Sequence, residues 1–137
     1  MKKLLSAAAA VVTVLAAPAA AADRPDAQGE AALARAIEGR VAGEPVDCID
    51  LQRVRSTRIL GHTAILYESG STLYVNRPRG GARSLDAWDV MVTKPFGGRL
   101  CRVDVVQLYD AGSRTQSGIV FLGDFVPYKK VRQAGAR

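Results

Sequence analysis

At 137 residues with 48% hydrophobic composition, the chain is long enough for one domain with a real core and too short for two. Its 19 Lys and Arg against 13 Asp and Glu give a formal charge of +6. No dense basic block is present, so the excess reads as solvated Arg rather than a nucleic-acid surface. Two Cys and one His fall short of a four-ligand zinc site, so neither a metal nor a cofactor is expected.

The chain opens with Lys2 and Lys3, an apolar run from Leu4 to Ala17, and the small-residue stretch Pro18-Ala19-Ala20-Ala21-Ala22. This is the layout of a secretory signal peptide spanning 1–22, with Ala20 and Ala22 as the A-x-A pair. A retained anchor is the weaker alternative, because the run is mostly Ala and Pro18 interrupts it. No Cys near the cleavage region could accept a lipid. The expected mature protein is soluble and carries no transmembrane anchor. Loss of Lys2 and Lys3 leaves 17 basic against 13 acidic residues, a charge of +4. Export makes the periplasm or the exterior the expected location, and nucleic acid is not an expected partner.

From 26 to 40 the pattern is helical, with Leu33, Ile37 and Val41 at i, i+4 and i+8 between Glu30, Arg35 and Glu38. Asp26 is the expected N-cap, and Gly43 with Pro45 the stop. The apolar stripe is narrow and Ala-rich, so a short helix lying on the domain or partly detached is expected, with 23–43 as helix and linker.

After Pro45 the composition turns to β-branched and aromatic residues. Strands are expected at 46–51, 56–60, 63–68, 72–76, 88–93, 99–108 and 117–128. Gly61-His62 is a two-residue hairpin signal and Ser69-Gly70-Ser71 another tight turn. Alternation groups Leu73 with Val75, and Trp88 with Val90 and Val92, as core-facing sets. It does the same for Ile119 with Phe121, and for Cys101 with Val103 and Val105. The phase then slips to Val106 and Leu108, which suggests a bulge, or a bend where the strand passes between faces. The fold expected is mainly β: a small antiparallel barrel or sandwich over 44–131 with one N-terminal helix, followed by a basic tail at 132–137.

Cys48 and Cys101 both survive signal removal, and an even count in an exported chain argues for a disulfide. Two cysteines allow one intramolecular pairing, and the C-x-x-C spacing of a redox pair is absent.

Four segments together resemble a family of small exported proteins of Gram-negative bacteria classed as a domain of unknown function. They are Val46-Asp47-Cys48-Ile49, Leu73-Tyr74-Val75-Asn76-Arg77-Pro78, Leu100-Cys101-Arg102-Val103-Asp104, and Leu122-Gly123-Asp124-Phe125-Val126-Pro127-Tyr128. The resemblance covers roughly 44–131. It implies export and a small shared fold, and it supplies no activity and no functional residue. Members of that family often carry a second cysteine pair. This chain has no cysteine in 76–85 and has Val120 near the other position, so one bridge is all it can make.

Candidate chemistry is sparse. His62 is the sole histidine, and no nucleophile elbow frames any serine. Next to Gly61, a turn role is the simpler account of His62. Asp86 and Asp89 flank Trp88, and Asp47 and Asp50 flank Cys48. Paired carboxylates can serve sugar hydrolysis, but Asp in such segments more often caps turns. The loop Asn76-Arg77-Pro78-Arg79-Gly80-Gly81-Ala82-Arg83 is the best binding candidate. Its Arg77, Arg79 and Arg83 suit capture of carboxylate or phosphate. Lys129, Lys130 and Arg132 read as a solvated tail. The expected function is a noncatalytic interaction module of the cell envelope that binds an envelope protein or anionic polymer. The alternative is a small periplasmic hydrolase using His62 or an Asp pair.

Overall fold

In the computed structural model, which describes residues 26–132, the chain forms one α-helix, two single-turn 3-10 segments and ten strands. The expected signal peptide and residues 133–137 of the expected tail lie outside the described residues.

Helix α1 (Ala27–Ile37) starts at Asp26, whose carboxylate accepts a hydrogen bond from the Gln28 N–H at 3.1 Å. It stops before the expected residue 40. Gly39 takes a left-handed conformation at φ +69°, which breaks the helical path. Residues beyond it become strand β1 (Arg40–Ala42), paired antiparallel to β10 (Phe125–Lys130). The expectation of a tail at Lys129 and Lys130 is thereby corrected. Both are strand residues, opposite Val41 and Arg40.

The remaining strands are β2 (Cys48–Asp50), β3 (Val54–Leu60), β4 (Ala64–Ser69), β5 (Thr72–Asn76), β6 (Asp89–Val92), β7 (Arg99–Cys101), β8 (Val105–Asp110) and β9 (Gln116–Phe121). They form a five-stranded sheet of order β1-β10-β5-β4-β3, a three-stranded sheet β6-β8-β9, and the pair β2-β7. All pairings are antiparallel. The architecture is mainly β and sandwich-like, without a closed barrel. Gly61, His62 and Thr63 together separate β3 from β4, so that loop has three residues rather than the expected two.

Two long expected strands are each divided. The run 99–108 breaks at a turn in which the Asp104 N–H donates to the Cys101 carbonyl at 2.9 Å and the Asp104 carboxylate accepts from the Cys101 N–H at 2.7 Å. Of the two expected causes of the apolar phase slip, the structure has the bend, which carries the chain from one sheet to another, and not the bulge. The run 117–128 breaks at Leu122–Asp124, between β9 of one sheet and β10 of the other.

The five-stranded sheet is buried on both faces. On one side Leu66, Leu73, Val75 and Ala64 pack under Leu33 of α1. On the other, Ile59, Ile65, Tyr67 and Phe125 pack against Val106, Leu108, Val120 and Leu122. The helix thus lies on the domain. Gly29 sits so close to the β3–β4 hairpin that a Cβ would fall 2.2 Å from the Thr63 hydroxyl.

Two expected core sets prove to face outward, and the third, Cys101 with Val103 and Val105, is divided between β7, a turn and β8. Met91 lies opposite Leu108, which lies opposite Gly118, and Val106 lies opposite Val120. These residues meet the core, so Val90, Val92, Ile119, Phe121 and Val105 take the other side of the same sheet. Val103, in the turn before β8, is also exposed. Within β6 and β9, alternation identified which residues share a face but not which face is covered.

Cys48 and Cys101 sit directly opposite each other in β2-β7, with Cα atoms 4.0 Å apart, and form a disulfide. Such a bond belongs to an oxidising environment outside the cytoplasm.

Candidate functional site

The arginine loop leaves β5 through Asn76, which is completely buried. Its amide nitrogen donates to the Gly123 carbonyl at 2.7 Å, and its amide oxygen accepts from the Gly123 N–H at 3.0 Å. The following backbone is held against β9: the Arg79 N–H donates to the Phe121 carbonyl, and Gly80 pairs with Phe121. Gly81 then crosses β9 with φ +78°, where a Cβ would lie 2.1 Å from the Ile119 carbonyl oxygen. The loop is a fixed structure.

Its three arginines do not act as one cluster. Arg77 is turned to α1, where its guanidinium forms a two-pronged pair with Glu30, one arm at 2.9 Å. That contact holds the Glu30 carboxyl below its usual range and raises Arg77. Arg83 stands in the 3-10 turn Ala82–Ser84 and is itself engaged within the protein. The Arg79 side chain is exposed and makes no hydrogen bond or ion pair among the described residues.

The candidate acids each have a structural partner, and His62 is held through its backbone. His62 lies exposed in the β3–β4 loop, and its backbone N–H donates to the Asp26 carboxylate at 3.2 Å. That bond is the largest of the causes that lower the Asp26 pKa. Asp86 accepts from the Trp88 N–H at 2.9 Å, and Asp89 accepts from the Ser117 hydroxyl at 2.6 Å. Asp50 caps the short turn Leu51–Arg53 through the Gln52 N–H. Asp47 pairs with Arg102, which also reaches Asp124. Among the described residues, no three His, Cys, Asp or Glu side chains converge to hold a metal ion.

What the sequence reading missed is the outward face of β6-β8-β9. Val90 is 52% exposed, Val92 38%, Val105 40%, Ile119 42% and Phe121 44%. The register makes them neighbours: Val92 lies across from Gln107, Gln107 from Ile119, and Val105 from Phe121. Tyr109, opposite Val90, donates its hydroxyl to the Gln107 side chain at 3.3 Å. Beside this face, Val92, Lys94, Asp104, Val105 and Gln107 line a cleft of about 240 Å³. Trp88 and Phe96, flanking β6 in sequence, are 84% and 95% exposed. Contiguous apolar surface of this kind is uncommon on a monomer without a binding role. The signal was present as alternation in three strands, but its direction required the pairing of those strands.

Comparison with protein-family models, curated proteins and solved structures finds no match to the chain. Among the described residues no helix is long and apolar enough to cross a membrane.

Proposed function

We propose that the protein is an exported, noncatalytic interaction module of the cell envelope that binds an envelope protein through the outward face of β6-β8-β9. The observation that carries this reading is the row of five exposed aliphatic and aromatic side chains on adjacent, hydrogen-bonded strands. A rigid sheet loses little conformational freedom when such a face is covered, so area buried there converts efficiently into affinity. Arg79, whose backbone is bonded to Phe121, supplies a cation at the border for an acidic group on the partner. The resemblance to small exported Gram-negative proteins and the disulfide both support export. The hydrolase alternative gains no comparable support, because both carboxylate pairs are held in caps, turns and ion pairs.

The test is capture from a cell-envelope extract with oxidised 23–137. The parent is compared with a Val90→Ser/Ile119→Ser/Phe121→Ser variant and with Arg79→Ala. The expected result is a defined partner recovered by the parent, reduced with Arg79→Ala and lost with the triple variant. Trp88 is the sole tryptophan, and its emission should move to the blue as the recovered partner is added. Equal recovery by parent and triple variant, or no recovery by the parent, overturns the reading.

A further inference from the structure

The two sheets are stitched together along one side, where Gly80 pairs with Phe121 and the chain passes from β9 to β10. On the other side they are not. There β3 ends the five-stranded sheet and β6 ends the three-stranded sheet, and neither is hydrogen-bonded to the other. Between them runs a groove of about 410 Å³, lined by Thr57, Arg58, Ile59 and Leu60 of β3 and by Ala87, Asp89 and Met91.

Antiparallel pairing uses the backbone groups of alternate residues, so every second residue of an end strand turns its N–H and C=O away from its neighbour. Both end strands therefore border one groove. Its floor is apolar, because Ile59 belongs to the core cluster and Met91 packs against it. This site uses the opposite side of β6 from Val90 and Val92, so it stands independently of the outward face.

The groove's one acid, Asp89, is engaged by the Ser117 hydroxyl, and the charges on β3 are unopposed. Arg55 and Arg58 are exposed, their side chains have no hydrogen-bond or ion-pair partner among the described residues, and β3 carries no acid. A second copy paired through β3 would bring the same two arginines to this edge. Like charges opposite each other destabilise a sheet, and opposite charges favour it. The edge thus resists its own copy and favours an acidic strand.

We propose that this groove is a strand-acceptor site. It takes an extended acidic segment of a partner protein, which adds to β3 as a further antiparallel strand and seats alternate β-branched side chains over Ile59 and Met91. Main-chain bonding would supply affinity, and the apolar floor and arginines selectivity.

A random heptapeptide display library selected on oxidised 23–137 tests this. The expected clones alternate β-branched residues with Asp or Glu. A synthetic peptide from them should slow amide exchange within 57–59 and 89–91 by at least about tenfold. Methylating alternate backbone nitrogens of that peptide should abolish binding. Arg55→Glu/Arg58→Glu should weaken binding by about tenfold, with Arg58→Gln intermediate and far-UV circular dichroism unchanged in both. Recovery of no clone, clones without acidic preference, or exchange protection centred on Ile119 and Phe121 would each overturn the proposal.

Discussion

Asn76 and Arg77 are adjacent in sequence and opposite in fate. Asn76 is buried and bonded at both ends of its amide to Gly123, 47 residues away, while Arg77 is exposed and paired with Glu30. Removing the buried amide leaves the Gly123 N–H and C=O without these partners in a desolvated place, where an unpaired group is costly. Asn76→Ala is expected to lower stability by about 2–3 kcal/mol, read as a shift of the urea midpoint; an unchanged midpoint would refute the structural role. Nothing in Asn76-Arg77-Pro78 distinguishes it from an exposed turn, because the partner that makes Asn76 a core residue lies in a distant segment. Val90 and Met91 show the same difficulty in apolar form: each suits a strand, and only the neighbour on the next strand decides which is covered.

The helix is the element whose presence was most legible and whose attachment was least so. Asp26 as N-cap and the Leu33–Ile37 stripe follow from local spacing, since capping and helical periodicity involve residues within a few positions. Docking depends on Gly29 meeting Thr63, Leu33 meeting the sheet, and Glu30 meeting Arg77. Both acids at this junction, Asp26 and Glu30, have lowered pKa values in the folded protein. Their contribution is therefore complete above the ordinary carboxylate range and is lost as pH falls through that range toward the folded values. Amide protection in α1, taken relative to the intrinsic exchange rate at each pH, should fall on acidification before that of β4 does. Glu30→Gln should already exchange faster in α1 at neutral pH and respond less to acid. Parallel loss of protection in α1 and β4 would contradict this account of docking.

For the whole molecule, the disulfide joins β2 to β7 across a separation of 53 residues. It fastens a two-stranded pair that is separate from both larger sheets. Closing a loop of that length restricts the unfolded chain by about 4 kcal/mol in the chain-entropy treatment, against a typical domain stability of about 5–15 kcal/mol. Cys48→Ser/Cys101→Ser should therefore fold only marginally, with a urea midpoint well below that of the oxidised parent. An equal midpoint would show that the bridge does not constrain the unfolded state. The sandwich also leaves two regions without a covering layer, the apolar face of β6-β8-β9 and the open seam between β3 and β6.

Taken alone, the sequence determined properties that depend on neighbours along the chain. These are the β composition after Pro45, the N-cap at Asp26, the turns at Gly61 and Gly70, and the sole pairing open to two cysteines. Such features rest on backbone preferences and a count of chemical groups. Tertiary structure alone decided that Arg77 serves the helix, that the runs 99–108 and 117–128 each divide between sheets, and that Val90, Ile119 and Phe121 face solvent. The reason is physical: an alternating strand offers two faces of nearly equal claim to the core. The choice is made only when distant strands set the register and another layer covers one of them.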